Sequence, residues 1–395
     1  MLAAINRNLI VLFVCQMIFT TGTILLVTIG GIAGYGLAPD PAWATLPVAL
    51  MVVGTACTAI PAAMLMKRVG RRLGFMCGAA LGASGALLVV AALTVSSFPA
   101  FCLAGALIGA SISFSQQFRF AGAESVPMQW TSFAVSFIMF GSIFGAIMGP
   151  ELVSYSASAS QDKPFTLAFK VVIALYVFAL LLLSLLRNTA IISNDEVTET
   201  PRSILQLLGQ PIFFVAVLAG VVGQGVMTYI MTATPISMNV GNNFSIQQTS
   251  DVIQAHVIAM HLPSLITPIV IARLGLLNVL ALGLIAISST VVIGLGGHEL
   301  LHYWTALVVL GLGWNFLFIG GTTLLVQAYR DSERFKAQAF NDFSVFTMSA
   351  LASLFSGTVL YTFGWNSLLV SAVPALVLMA VAIVVLKAQQ AKAPA

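Results

Sequence analysis

The stretch AAMLMKRVGRRLGFMCGA, residues 62–79, places a short basic loop between two long apolar runs. Its loop, Lys67 to Arg72, is too highly charged to lie in hydrocarbon, and the runs on either side are too apolar to face water. The whole chain repeats this pattern, since 59% of its 395 residues are hydrophobic and 7% are charged, against about 25% charged in ordinary soluble domains. The composition excludes a cytosolic enzyme, a nucleic-acid-binding protein and a disordered chain, and it predicts an all-α membrane protein.

Twelve apolar segments are long enough to span a bilayer, because a spanning helix needs about 20 such residues and satisfies its own backbone groups within lipid. We expect no cleaved leader, since the first run is too long for a signal peptide and lacks a small-residue cleavage site. The predicted spans are 9–33, 44–66, 73–94, 98–121, 131–155, 165–186, 211–236, 250–272, 276–296, 303–328, 337–361 and 366–386.

Basic residues fix the predicted orientation. With the N-terminus inside, all 16 lysines and arginines except Lys163, Lys170 and Arg119 fall on the cytoplasmic side. This bias follows the positive-inside rule. It predicts a multi-pass protein of the bacterial inner membrane with both termini in the cytoplasm and membrane lipid around it.

The longest polar stretch divides the spans into two groups of six. We therefore predict an N-terminal six-helix bundle at 1–187, a cytoplasmic linker at 188–210 and a C-terminal six-helix bundle at 211–395. The two halves also repeat a short pattern, because Arg68-Val69-Gly70 follows the second span and Arg273-Leu274-Gly275 follows the eighth. Parallel six-span repeats of this kind build one large class of secondary transporters.

Two motifs resemble that class, the major facilitator superfamily. The loop Lys67-Arg68-Val69-Gly70-Arg71-Arg72 resembles its loop motif D-R-x-G-R-R, with Lys67 in place of the acid, and the segment 145–150, GAIMGP, resembles its fifth-span GxxxGP. The resemblance implies a secondary transporter working by alternating access between the two bundles, and not an enzyme. No P-loop is present, which argues against an ATP-driven pump.

The replaced acid leaves the loop arginines without their usual partner. We expect Glu124 and Asp342, both near the inner ends of their spans, to pair with them instead. These acids and the loop arginines would then form a gate or latch; proton coupling is the alternative role for the acids. The latch residues are Arg68, Arg71, Glu124, Arg273 and Asp342.

Soft ligands occur in two consecutive spans. Met227 and Met231 in span seven, and His256 and Met260 in span eight, are each separated by four residues and so share one helical face. Thioether and imidazole groups suit Cu(I), whereas hard cations prefer oxygen. At similar depth on consecutive helices, these four residues predict a metal site; methionine packing is the plain alternative.

These four residues resemble the signature of the CcoA-type copper importers, bacterial major facilitator proteins that supply copper for assembly of cbb3-type cytochrome c oxidase. The resemblance implies copper as the transported ion, no permanently bound cofactor, and cytoplasmic or membrane copper chaperones as partners. Protonation of His256 would release the metal and so could link transport to pH.

An organic solute is the rival cargo. The segments at 116–120 and 341–343 also resemble relatives that lack the copper residues, among them riboflavin transporters. Gln116, Gln117 and Arg119 in span four form either an interhelical hydrogen-bond cluster or a cavity site for a polar or anionic solute; His261 is expected to contact a helix or gate the path. The alternative function is therefore riboflavin transport or drug/proton antiport.

The segment 298–302, HELLH, matches the zinc-protease motif HExxH. It falls in a short outer connection between spans nine and ten, with no further ligand nearby. We expect an inert loop, with surface metal capture as the alternative.

Overall fold

The computed structural model describes residues 5–40, 43, 46–159, 165–187 and 201–392, and every regular element in these ranges is helical. The fourteen α-helices are α1 (Arg7–Leu37), α2 (Leu46–Val95), α3 (Phe98–Ser115), α4 (Phe118–Glu124), α5 (Thr131–Ala159), α6 (Thr166–Ser184), α7 (Ile204–Leu208), α8 (Pro211–Ile236), α9 (Ile246–His261), α10 (Thr267–Leu274), α11 (Leu276–Leu295), α12 (Leu300–Ala328), α13 (Arg334–Ser371) and α14 (Val373–Lys392).

Nine stretches of the described chain are long and apolar enough to cross a membrane, or ten when the bent pair of α9 and α10 counts as one span. Two of them, Leu46–Val95 with 50 residues and Asp331–Ala391 with 61, are each long enough for two spans of about 20 residues. Each is broken at a glycine with positive φ, Gly70 at 84° and Gly364 at 80°. Counted as two spans each, they bring the described stretches to the predicted twelve.

The repeat found in the sequence is also a repeat of the backbone. Gly70 has φ 84° and ψ 164°, and Gly275 has φ 81° and ψ 155°. Only glycine adopts this conformation without strain. The same turn therefore connects the two halves of α2 and also connects α10 to α11.

Two spans are interrupted where single helices were predicted. The span at 98–121 is α3 followed by α4, with a turn at Gln116 and Gln117. The span at 250–272 is α9, a 3-10 turn at Leu262–Leu265, and α10, with a bend of 55°. Pro263 and Pro268 start the new elements there, because proline cannot supply the N–H that a continuous helix needs.

The chain forms two compact units. Unit 1 comprises Met1–Glu199 and Gln338–Phe343, and unit 2 comprises Thr200–Ala337 and Ser344–Ala395. Unit 1 therefore includes six residues near the start of α13, a segment that the sequence assigned to the C-terminal bundle. Residues 188–200 of the predicted linker lie outside the described residues, and 204–208 of it form α7.

Aromatic rings and glycines pack the helices of unit 1. Tyr176 is fully buried with its ring centroid 5.1 Å from that of Phe19, and Phe118 lies 5.2 Å from Phe19 and 4.8 Å from Phe75. Gly145, from the GxxxGP segment, allows α5 to approach α1, because an added Cβ would lie 2.7 Å from the Met17 carbonyl. That segment is thus a helix-packing contact.

In unit 2, α12 is the central helix. It packs along α8, α9 and α11, and almost all of its residues from Leu310 to Leu325 are buried. Residues on α12 therefore position the functional candidates of α8 and α9.

Candidate functional site

An ion pair in unit 1 joins α2 to α4. Arg71 Nη2 lies 2.6 Å from Glu124 Oε1, and Arg71 Nε donates to Glu124 Oε2 at 3.3 Å. Gln338 completes the contact, since its Oε1 accepts from Arg71 Nη2 at 2.6 Å and its Nε2 donates to Glu124 Oε1 at 2.9 Å. The arrangement neutralises two charges that are 4% and 10% exposed.

A second ion pair lies deeper in unit 1. Arg119 Nη2 donates to Asp342 Oδ1, and the two side chains are only 1% and 2% exposed. Asp342 also accepts from Gln117 Nε2 at 2.6 Å and from Asn341 Nδ2 at 3.0 Å. The charge of Arg119 is therefore matched by a buried carboxylate.

Gln117 connects the two ion pairs. Its Oε1 accepts from Arg71 Nη1 at 3.0 Å while its Nε2 donates to Asp342 Oδ2. Gln117 is 1% exposed and sits in the turn between α3 and α4, which directs its amide away from the helix axis. We call the connected set the buried network; it consists of Arg71, Gln117, Arg119, Glu124, Gln338, Asn341 and Asp342.

The latch predictions divide in this network. Glu124 meets a loop arginine, Arg71, as expected. Asp342 does not: it pairs with Arg119, because it lies two helical turns into α13 and Arg119 faces it from α4. Arg68 and Arg273 are exposed, and neither forms an ion pair with a described residue. Gln116 is half-buried.

The soft-ligand residues all lie in unit 2, and the metal site that joins them stays a prediction. α8 and α9 make no extended contact, whereas each packs along α12. Met227 is buried and Met231 half-buried on α8, and Met260 is buried on α9. α12 lies beside both helices, and the contact between the two spans is at the turn Ser237–Gly241 that continues α8, where Asn239 Nδ2 donates to Thr249 Oγ1 at 2.5 Å.

His256 is fully buried against α12. Its Nδ1 lies 2.7 Å from the Leu307 carbonyl oxygen, and since a carbonyl can only accept, Nδ1 carries the proton. Nε2 is buried and has no hydrogen-bond partner in the described structure. This leaves a lone pair on Nε2, as metal-bound histidines present. His261 is held separately, with Nδ1 3.0 Å from the Val257 carbonyl and its ring 5.7 Å from that of Trp314.

The HExxH segment lies at the start of α12, with its last residue, His302, inside the helix. Among the residues that the structure describes, no three side chains of His, Cys, Asp or Glu converge to hold a metal ion. His298 and Glu299 are exposed before the start of α12. The inert loop stays a prediction, with surface metal capture as its alternative.

Polar residues on α12 were missed from the sequence. Trp314 Nε1 donates to Gln224 Oε1 at 2.7 Å, and its ring stacks on Phe318 with centroids 4.7 Å apart. Asn315, fully buried, donates to the Met260 carbonyl at 2.7 Å. An asparagine in the middle of a predicted span was a usable signal, because such groups are costly in hydrocarbon and usually have a role.

Two bundles of long apolar helices with ionic and amide groups buried inside them define a polytopic membrane transporter. Comparison with models of protein families identifies the family of transporters. The model of the Major Facilitator Superfamily matches residues 11–241, which is more than half of the chain. The protein therefore belongs to the Major Facilitator Superfamily and is a secondary transporter.

Similar proteins support this assignment. The chain is 37% identical over 379 residues, 95% of each protein, to the riboflavin transporter RfnT of Brucella anthropi. It is 29% identical over 378 residues, 90% of this chain and 86% of the other, to the uncharacterised MFS-type transporter YdeG of Bacillus subtilis. Among solved structures, the fucose:proton symporter FucP of E. coli superposes with a TM-score of 0.74 at 17% identity, covering 95% of this chain and 97% of that one; this likeness shows the fold.

Proposed function

We propose that this chain carries riboflavin or a closely similar uncharged organic solute across the bacterial inner membrane, with both termini and the linker in the cytoplasm. The observation that carries the proposal is the 37% identity to a riboflavin transporter over 95% of both chains. The organic-solute alternative thereby takes precedence over copper import.

The electrostatics of unit 1 fit an uncharged solute. Arg119 was the argument for an anionic cargo, but Asp342 neutralises it. A guanidinium already matched by a carboxylate does not offer an uncompensated charge to an anion. Riboflavin carries no net charge near neutral pH, so no excess of positive charge is needed to bind it.

Copper stays the second candidate because of His256. Its buried Nε2 without a hydrogen-bond partner has the lone pair that Cu(I) would use. Against this, α8 and α9 both pack along α12 and make no extended contact with each other.

Uptake in cells that lack their own riboflavin and copper importers separates the two cargoes. Cells expressing the chain are supplied with labelled riboflavin or radioactive copper, and His256→Leu and Met231→Leu variants are compared at equal protein level. We expect riboflavin uptake above the empty-vector level, retained in both variants. Copper uptake that both variants abolish, without riboflavin uptake, would overturn the proposal and establish the copper function.

A further inference from the structure

Two opposite charges are buried within membrane-spanning helices of this protein. Arg119 lies in the stretch Phe98–Glu124 and Asp342 in the stretch Asp331–Ala391, both apolar enough to span a membrane. Burying a charge is costly even when it is paired, and a well-packed apolar pair is often at least as stable. An ion pair at such a place is weak evidence for a role in stability and is a candidate for a role in transport.

Asp342 is bound differently from the other buried acids. Glu333 is held by Arg202 through both Nε and Nη2 and by two backbone N–H groups. Glu124 lies at the end of α4 and is held by two nitrogens of Arg71 and by a single amide, that of Gln338. Asp342 lies eight residues into α13, about 12 Å from its start, and two of its partners are the amides of Gln117 and Asn341.

Amide partners can adapt to a protonated acid. A carboxylate accepts from the Gln117 Nε2 donor, but when Asp342 binds a proton on the side of Oδ2 that faces Gln117, the O–H is a donor and two donors face each other. Rotation of the Gln117 amide removes this conflict by presenting Oε1 to Asp342. The same rotation takes Oε1 away from Arg71 Nη1, to which it is bonded at 3.0 Å.

Charge balance in the buried network depends on the same proton. Three charged groups of the buried network are linked to Asp342: Arg119 binds it directly, Arg71 binds Gln117, and Glu124 binds Arg71. With Asp342 ionised, two positive and two negative charges cancel. Protonation leaves one uncompensated positive charge in a buried place, which favours a different arrangement of these helices.

We propose that Asp342 is the proton-binding residue of this transporter and that the Gln117 amide passes its protonation state to the Arg71–Glu124 pair. The proposal rests on the proposed function for its solute. Proton binding at Asp342 drives transport of the solute, and rotation of the Gln117 amide breaks the hydrogen bond between Gln117 and Arg71.

Reconstituted full-length protein tests the coupling. Riboflavin accumulation driven by an imposed pH gradient is compared with riboflavin counterflow, which needs no net proton movement. We expect Asp342→Asn to lose gradient-driven accumulation down to the level without a gradient while counterflow continues. The matched control is Glu151→Gln, which removes an exposed acid of α5 and should leave both assays unchanged.

Two further variants protect the test against misfolding and isolate the relay. Arg119→Gln with Asp342→Asn removes both charges, so no lone arginine is buried, and should repeat the Asp342→Asn result. Gln117→Leu should keep proton binding and lose coupling. Gradient-driven accumulation equal to that of the unaltered protein in Asp342→Asn or in the double variant would overturn the proposal.

A measurement without solute keeps the proton site separate from the cargo. Infrared difference spectra between acidic and alkaline samples of purified protein should show a carboxylic acid band that Asp342→Asn removes and Glu151→Gln keeps. If riboflavin moves in neither assay, the proposed function fails while this band still supports the proton site. A difference spectrum unchanged by Asp342→Asn would overturn the site whatever the cargo.

Discussion

Replacement of Asn315 by leucine tests how the bent span of unit 2 is held. Asn315 Nδ2 donates to the Met260 carbonyl at 2.7 Å and to Ser264 Oγ at 2.8 Å, and its Oδ1 accepts from Thr267 Oγ1 at 2.7 Å. One fully buried side chain on α12 thus binds the end of α9, the 3-10 turn and the start of α10. Leucine has a similar size and makes none of these bonds.

The expected loss follows from membrane-protein hydrogen bonds. Such bonds average about 0.6 kcal/mol and reach about 1.7 kcal/mol. Three of them give an expected destabilisation of about 2 kcal/mol for Asn315→Leu, with about 5 kcal/mol as the upper bound. Thr267 keeps its bond to the Pro263 carbonyl, which favours the lower figure.

Unfolding in mixed micelles by increasing sodium dodecyl sulfate, followed by circular dichroism, measures this loss. The control is Asn366→Leu, because Asn366 is exposed and substitutions at such surface positions stay within about 0.5 kcal/mol. If Asn315→Leu unfolds at the same detergent fraction as Asn366→Leu, the bend is held by the prolines alone and the reasoning from Asn315 is wrong.

Two other substitutions probe contacts of known geometry. Glu333→Gln replaces the charged acceptor that binds Arg202 Nε at 2.8 Å and Nη2 at 2.6 Å. Because Arg202 is partly exposed, we expect the local stability of this contact to fall by about 1.4 kcal/mol, and trypsin should therefore cleave after Arg202 roughly tenfold faster. An unchanged cleavage rate would contradict a role of this pair in holding the chain before α7. Gly54→Ala places a Cβ 2.5 Å from the Ala106 carbonyl oxygen and should lower the free energy of unfolding by about 1–3 kcal/mol through overpacking. The control is Gly36→Ala, which has open space around the added Cβ and should not lower it. Equal stabilities of the two variants in the same unfolding assay would refute the close packing of α2 and α3.

Span positions were predictable because hydropathy alone determines them. The predicted gap between the second and third spans contains Gly70, and the gap between the eleventh and twelfth contains Gly364, which are the two places where the structure breaks its longest helical stretches. The interruption near Pro263 was also marked in the sequence, but a 23-residue apolar run outweighed it. The turn at Gln116 and Gln117 had no such marker, since neither residue disfavours a helix strongly.

Partner choice within the buried network could not be obtained from the sequence. Asp342 and the loop arginines were matched by charge and by the end of the span at which they lie. In the structure Asp342 pairs with Arg119. This pairing follows from the turn at Gln116 and Gln117, because α4 starts after it and its side chains face a different direction from those of a continued α3. Charge complementarity limits the set of partners, and backbone interruptions decide among them.

The copper hypothesis illustrates the same limit for helix pairs. A spacing of four residues establishes that Met227 and Met231 share a face of α8, and that His256 and Met260 share a face of α9. It does not establish which helix each face meets. Leu307 of α12 binds His256 Nδ1 at 2.7 Å, and an added Cβ on Gly311 would lie 2.7 Å from the His256 carbonyl, so α12 approaches this part of α9 closely. The copper site therefore stays a prediction, and the 37% identity to a riboflavin transporter over 95% of both chains is what makes an organic solute the better proposal.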